Sequence, residues 1–260
     1  MSHFTTAVLS PPSRRVVRVE RWFYIGIGLM MILLNVAAFA PSIVDPSRRN
    51  VPLPLTPLVT LHALLGVAWL LMFLTQATLV ATGRRHVHRR MGIFGALLAL
   101  AFVVVGGFAV LAQARRGFDL SGDISRLAPP GTPADPPALA GLLFFFATFA
   151  ALVCAALLFR HRPDVHKRLM LLAMLGGLSP TPVAHVIGHW PLLQPYAGMI
   201  FPTSLFVFLS LSAIHDRVSY GRVHPVSVWI GLLVFVWISA FNVAIIPSAA
   251  WRQFAAWLLS

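Results

Sequence analysis

The chain has 260 residues, 58% of them hydrophobic and 10% charged, with 20 Lys and Arg against 7 Asp and Glu. Soluble domains run at roughly 45–50% apolar and 25% charged. The composition therefore excludes a disordered chain, argues against a water-soluble globule, and describes an integral membrane protein. Cys154 is the only cysteine, which excludes an internal disulfide framework, an iron–sulfur cluster and a Cys-type zinc site. The formal charge of +13 would suit nucleic acid. In a chain this apolar the basic residues read instead as topology signals, and no nucleic-acid partner is expected.

Residues 1–21 form a basic tail. Beyond it, seven segments are long enough to cross a hydrocarbon core, which takes roughly 20 apolar residues. They are 22–40, 57–80, 91–113, 137–160, 168–190, 197–214 and 226–247. Backbone groups in lipid must be satisfied internally, so each is predicted to be a helix. The runs are too continuous for barrel strands. The fold class expected is all-α: one polytopic domain over 22–247, with a candidate cofactor core at 57–190. The first span is preceded by arginines and ends in Ala38-Phe39-Ala40, like a signal peptide. Its apolar run is longer than a signal core of about 7–15 residues, and a retained anchor is expected.

With the N-terminus inside, 14 of the 20 basic residues fall on inner segments and six (Arg48, Arg49, Arg115, Arg116, Arg126 and Arg252) on outer ones. This predicts N-terminus in and C-terminus out, in a multi-pass protein of the inner (plasma) membrane. The connection 114–136, rich in Pro, Gly and Asp, reads as an extended outer loop, either a lid or a solvated linker. Residues 248–260 place Trp251, Phe254 and Leu258 on one helical face and predict an interfacial amphipathic helix on the outer surface.

Ten histidines accompany the seven acids. His62 lies about five residues, roughly 8 Å, inside the outer end of the second span. His185 is at similar depth in the fifth, with His189 one turn further out on the same face. On the inner side, His88 opens the third span, His166 the fifth, and His215 closes the sixth. Ionisable groups at such depths usually mark a pathway or cofactor. Two facing imidazoles suit the axial positions of haem. Three, here His62, His185 and His189, suit zinc or copper. Histidines that hydrogen-bond across helix interfaces or meet lipid headgroups are the structural alternative. His62, Trp69 and Gln76 recur every seven residues and share a face that should point into the bundle and line a cofactor cleft or a helix interface.

Gly176-Gly177-Leu178-Ser179-Pro180-Thr181-Pro182 predicts a kink or break in the fifth span, with Ser179 or Thr181 capping the outer half. A break of this kind lines a cavity or is buried in protein. Val87-His88-Arg89-Arg90-Met91 matches Val165-His166-Lys167-Arg168-Leu169, a weak sign of a duplicated helix pair. The single lysine, Lys167, sits at a span edge among arginines, which excludes a retinal Schiff base. No zinc-protease, nucleophile-elbow or phosphate-loop motif is present. All carboxylates, Asp164 and Asp216 included, fall outside the spans or at their edges, which weighs against a proton-driven transporter.

The stretch LHALLGVAWLLMFLTQATLVATGRRHVHRRMG and the later VHKRLMLLAM resemble an uncharacterised family of bacterial multi-pass membrane proteins. That family is in turn distantly similar to the cytochrome b561 class. The resemblance covers about residues 57–190. It implies a helical core holding two b-type haems, His62 with His185 as the outer axial pair and His88 with His166 as the inner pair. Trp69 and Gln76 would line the cleft, and Arg89, Arg90 and Arg168 would face haem propionates. Two departures stand out. His88 and His166 sit at the helix ends, and His166 and His185 lie about 28 Å apart along one straight span. The function implied is electron transport across or within the membrane, as an oxidoreductase exchanging with a quinone or a redox partner protein. A histidine-ligated zinc or copper enzyme or metal handler, a small-molecule transporter and a non-catalytic accessory subunit are the alternatives.

Overall fold

A computed structural model describes residues 14–45 (14–21 by backbone alone), 56–116 and 135–260. The connection expected as a lid lies almost wholly outside these residues, as do His3, Arg48, Arg49 and Arg126. Among the described residues ten α-helices follow one another: α1 (Arg14–Val44), α2 (Pro57–Ala81), α3 (Arg85–Arg116), α4 (Pro136–Ala140), α5 (Leu143–Leu158), α6 (Pro163–Leu172), α7 (Pro180–His189), α8 (Ala197–Tyr220), α9 (Gly231–Ala240) and α10 (Ala249–Leu259). No strand occurs among the described residues. Seven stretches of the described residues are long and apolar enough to cross a membrane: Trp22–Val44, Pro57–Ala81, Arg85–Arg116, Pro136–Leu158, Pro163–His189, Gln194–Tyr220 and Val226–Ile245. The protein is an all-α, multi-pass membrane bundle.

The spans begin and end where the chain provides for it. Thr56 caps α2, its hydroxyl accepting from the Val59 N–H, with Pro57 at the first helical position. Pro163 does the same at the start of α6, so the fifth span opens five residues before the apolar run does. α8 runs on through His215 and Asp216 to Tyr220 because the chain pairs those groups internally, and it stops at Gly221, whose φ of 72° only glycine adopts at no cost. The connections 82–84, 159–162 and 221–225 lie at one end of the bundle. Arg84, Arg85, Arg89, Arg90, Arg160, Arg162, Arg217 and Arg222 are all exposed there. This is the basic end of the bundle, and the opposite one is its far end.

The fifth span is the axis of the bundle: 72% of its most apolar window is buried, against 44% or less for every other span. The kink or break expected there takes the form of a π-helical turn over Ala173–Leu178. Pro180 and Pro182 withdraw two backbone donors, and Ser179 turns back to donate its hydroxyl to the Leu175 carbonyl at 2.5 Å. Ser179 has helical dihedrals and makes no capping bond, so the two halves stay in register rather than starting afresh. The turn is packed in protein. A Cβ on Gly176 would stand 2.7 Å from Val234 Cγ1, and one on Gly177 would stand 2.8 Å from the Cα of Phe149. The two glycines thus seat the axis directly against α5 and α9.

The C-terminal helix does not lie on the surface with the face expected. Trp251 turns inward, donating from its indole to Pro137 O at 2.9 Å and packing edge-on against Phe241, and Ala255 is fully buried. Arg115 Nε reaches Leu259 O, and Arg252 pairs with Asp135 at 3.0 Å. α10 is therefore docked on the far ends of α3 and α4, leaving Phe254 and Trp257 exposed. A bare indole N–H is better satisfied by a carbonyl of the bundle than by lipid.

Gly177→Ala should overpack the axis and lower stability by about 1–3 kcal/mol. Gly26→Ala, where nothing lies within 4 Å of the new methyl, should be neutral. Thermal unfolding of both variants in the same detergent checks this.

Candidate cofactor site

The stripe His62, Trp69 and Gln76 on α2 does point into the bundle, but its members meet three different surroundings. His62 is stacked on Phe102 of α3 (ring centroids 5.2 Å, planes 19° apart) and lies edge-on to Phe146 of α5 at 5.6 Å. Its Nδ1 is buried and has no hydrogen-bond partner. Gly106 makes room for this arrangement, since a Cβ there would strike the Phe146 ring. Trp69 is buried in the core, its indole N–H 3.2 Å from Met174 Sδ and its ring edge-on to Phe149. It fills the bundle centre rather than a cleft beside His62.

His185 and His189 share a face, as their spacing requires, and that face turns toward α1. His185 is buried against the Phe39 ring at 4.6 Å. His189 Nε2 donates to Ala38 O at 3.0 Å and lies 3.3 Å from Ser42 Oγ, strapping α7 to α1. Beside this strap lies a cleft of about 380 Å³, lined by Val36, Ala37, Ala40, Pro41, Val44 and Trp190 as well as His189. So His62 addresses α3 and α5, while His185 and His189 address α1. Among the described residues no three His, Cys, Asp or Glu side chains gather as a metal set, the trio His62, His185 and His189 included.

The basic end does bring two candidate ligands together. His88, in the first turn of α3, and His166, in the first turn of α6, have ring centroids 6.4 Å apart with planes at 79°. Each ring is held by its other side. His166 Nδ1 lies 2.8 Å from Ala156 O on α5. A carbonyl only accepts, so Nδ1 carries the proton and the neutral ring keeps a lone pair on Nε2. His88 Nδ1 is met by the side-chain amide of Gln76. With the amide nitrogen turned to the ring it stands 2.6 Å from Nδ1, and the amide oxygen accepts from Gly92 N–H at 3.2 Å. Gln76 thus belongs with His88 and not with His62. The two histidines occupy equivalent places in the short repeat, which gives that repeat a structural meaning.

Beside this pair lies a polar network that the sequence did not reveal. Arg168 is 4% exposed and Asp216 1%. Arg168 Nε donates to both Asp216 oxygens at 3.0 Å, Nη2 donates to Oδ1, and Nη1 donates to Asp164 O. Asp216 Oδ2 also accepts from Ser227 Oγ at 2.6 Å and from His224 N–H at 3.2 Å, and Ser227 meets Ser212 Oγ at 2.8 Å. His215 is buried next to it, stacked on Phe23 at 4.0 Å. Two expectations change. Asp216 is a buried carboxylate within a span, and Arg168 is committed to it and not open to a propionate. Arg90, its counterpart in the repeat, is exposed. Nothing in the spacing distinguishes the two arginines, because the partner comes from the basic end of the next span, far removed in the chain.

Removing one member of a buried ion pair strands the other and costs about 3–5 kcal/mol. Arg168→Met and Asp216→Leu should each destabilise the protein by this order. The double variant should cost far less than the two together, as a double-mutant cycle of detergent unfolding would show. No family model, no curated protein and no solved structure matches this chain.

Proposed function

We propose that the protein is a membrane electron carrier that holds one b-type haem between His88 and His166. The observation that carries this reading is the meeting of those two rings. With ring centroids 6.4 Å apart, His88 and His166 are close enough that they would hold one haem iron between them, which would supply one-electron chemistry there. Of the two donors, His166 already stands as a ligating histidine does, its Nδ1 donating to Ala156 O. His88 would join it with its proton on Nδ1 and the Gln76 amide oxygen as acceptor.

The chain's own part is to position and neutralise. Ala156 O fixes the His166 ring, and Gln76 fixes that of His88. Arg89 and Arg90, exposed one and two residues beyond His88, are the cations left for two propionates once Arg168 is assigned to Asp216. The concentration of arginines at this end supports placing it on the inner side of a plasma membrane, with the N-terminus inside. A quinone or a redox protein is the partner class such a carrier needs. A second haem between His62 and His185, and a zinc or copper site with His189, draw less support, since those side chains face different helices.

Purified after expression with ample haem, the wild-type chain should show the reduced-minus-oxidised Soret and α bands of a bis-histidine haem, with about one iron per chain. His88→Ala and His166→Ala should each reduce haem content at least tenfold, and His189→Ala should leave it unchanged. A colourless wild-type protein, or bands that survive both of the first two changes, overturns the reading.

A further inference from the structure

We infer that Gln76 is the positioning residue of the His88 ligand, and that its amide turns over when the site is loaded. This rests on the haem reading above. It concerns an asymmetry between the two rings. His166 faces a backbone carbonyl, so its Nδ1 always donates and its Nε2 always offers a lone pair. His88 faces a side-chain amide, which donates from one end and accepts at the other.

The backbone neighbours of the Gln76 amide, His88 O and Gly92 N–H, favour the orientation with its nitrogen toward the ring; so turned, it donates to His88 Nδ1 at 2.6 Å and to His88 O at 3.3 Å, while the amide oxygen accepts from Gly92 N–H at 3.2 Å. An imidazole that accepts at Nδ1 carries its proton on Nε2 and cannot bind a metal there. His88 and His166 therefore rest in opposite tautomers, one presenting an N–H and the other a lone pair. A metal at both Nε2 atoms requires the His88 proton to sit on Nδ1, and Nδ1–H requires an acceptor. Turning the amide about its last side-chain bond provides that acceptor in the amide oxygen, with no movement of α2 or α3. The same turn brings the amide oxygen toward His88 O and the amide nitrogen toward Gly92 N–H, two repulsive contacts. These hold the empty site in the non-binding tautomer and are overcome only when a ligand bond forms. His166 is built to bind first and His88 second.

A carboxylate at this position can only accept. Gln76→Glu should therefore fix His88 in its binding tautomer and make the ring more electron-rich. That favours ferric iron and lowers the midpoint potential. Gln76→Leu removes the partner altogether and should weaken haem affinity by about 10–100-fold, the usual effect of losing such a neighbour. The experiment uses the full chain in detergent: haemin titration of the haem-free protein, and redox titration of the α band, for wild type, both variants and His189→Ala as control. The expected result is a lower potential in Gln76→Glu, weaker haemin binding in Gln76→Leu, and neither change in the control. A carboxylate beside the haem lowers the potential by its charge alone, so affinity separates the two roles: a positioning Gln76 leaves haemin binding in Gln76→Glu at least as tight as in wild type, whereas a purely structural one weakens it in both variants. If wild type binds haem but Gln76→Glu binds haemin more weakly, or titrates at an equal or higher potential, the role of Gln76 is overturned and the ligand assignment stands. If wild type binds no haem, the ligand assignment falls and this inference falls with it.

Discussion

A polar side chain inside an apolar slab has to find its partner within the chain, because the surroundings offer none. This constraint organises the basic end of the bundle. Asp216 would be prohibitively costly alone. It is tolerated because four donor groups converge on it, Arg168 Nε and Nη2, Ser227 Oγ and the His224 N–H, with Ser212 behind Ser227. The network ties α6 to α8 and to the start of the seventh span. It also fixes the rotation of α6 about its own axis, and with it the direction in which His166 points. The ion pair is thus the foundation on which the histidine pair stands.

The far end solves the same problem differently. There the histidines are used singly. His189 straps α7 to α1 through a backbone carbonyl, whereas His62, enclosed by the rings of Phe102 and Phe146, is an exception whose Nδ1 finds no partner. Trp69, midway, uses the soft sulfur of Met174 as its acceptor. Three residues of one helical stripe therefore serve three depths of the bundle. A shared face specifies direction but not a shared site.

Part of the candidate site was legible in the chain order. Gln76 and His88 are equidistant from Thr82, at the turn between α2 and α3, so an antiparallel hairpin must bring them to one level. Ala156 and His166 are equidistant from His161 in the same way. This symmetry about a turn is the signal that would have moved Gln76 from the His62 cleft to the His88 ring. Arg168 and Asp216 carry no such signal. Their helices are not joined by one short turn, and α7 and a reversal at the far end lie between them. The Trp251 orientation was likewise hidden, because helical periodicity groups Trp251 with Phe254 but cannot say which of them meets Pro137 O.

By itself the sequence determined the all-α membrane class, the seven spans and the arginine-rich end. These depend on the length of apolar runs and on the cost of unpaired backbone in lipid, and both are local properties. Only the tertiary structure decided which histidines meet, which arginine is consumed by an internal carboxylate, and that the Gly-Pro segment bends without breaking. Those outcomes depend on the rotation of each helix about its axis. Packing sets that rotation through contacts such as Gly177 against Phe149, made by residues far apart in the chain.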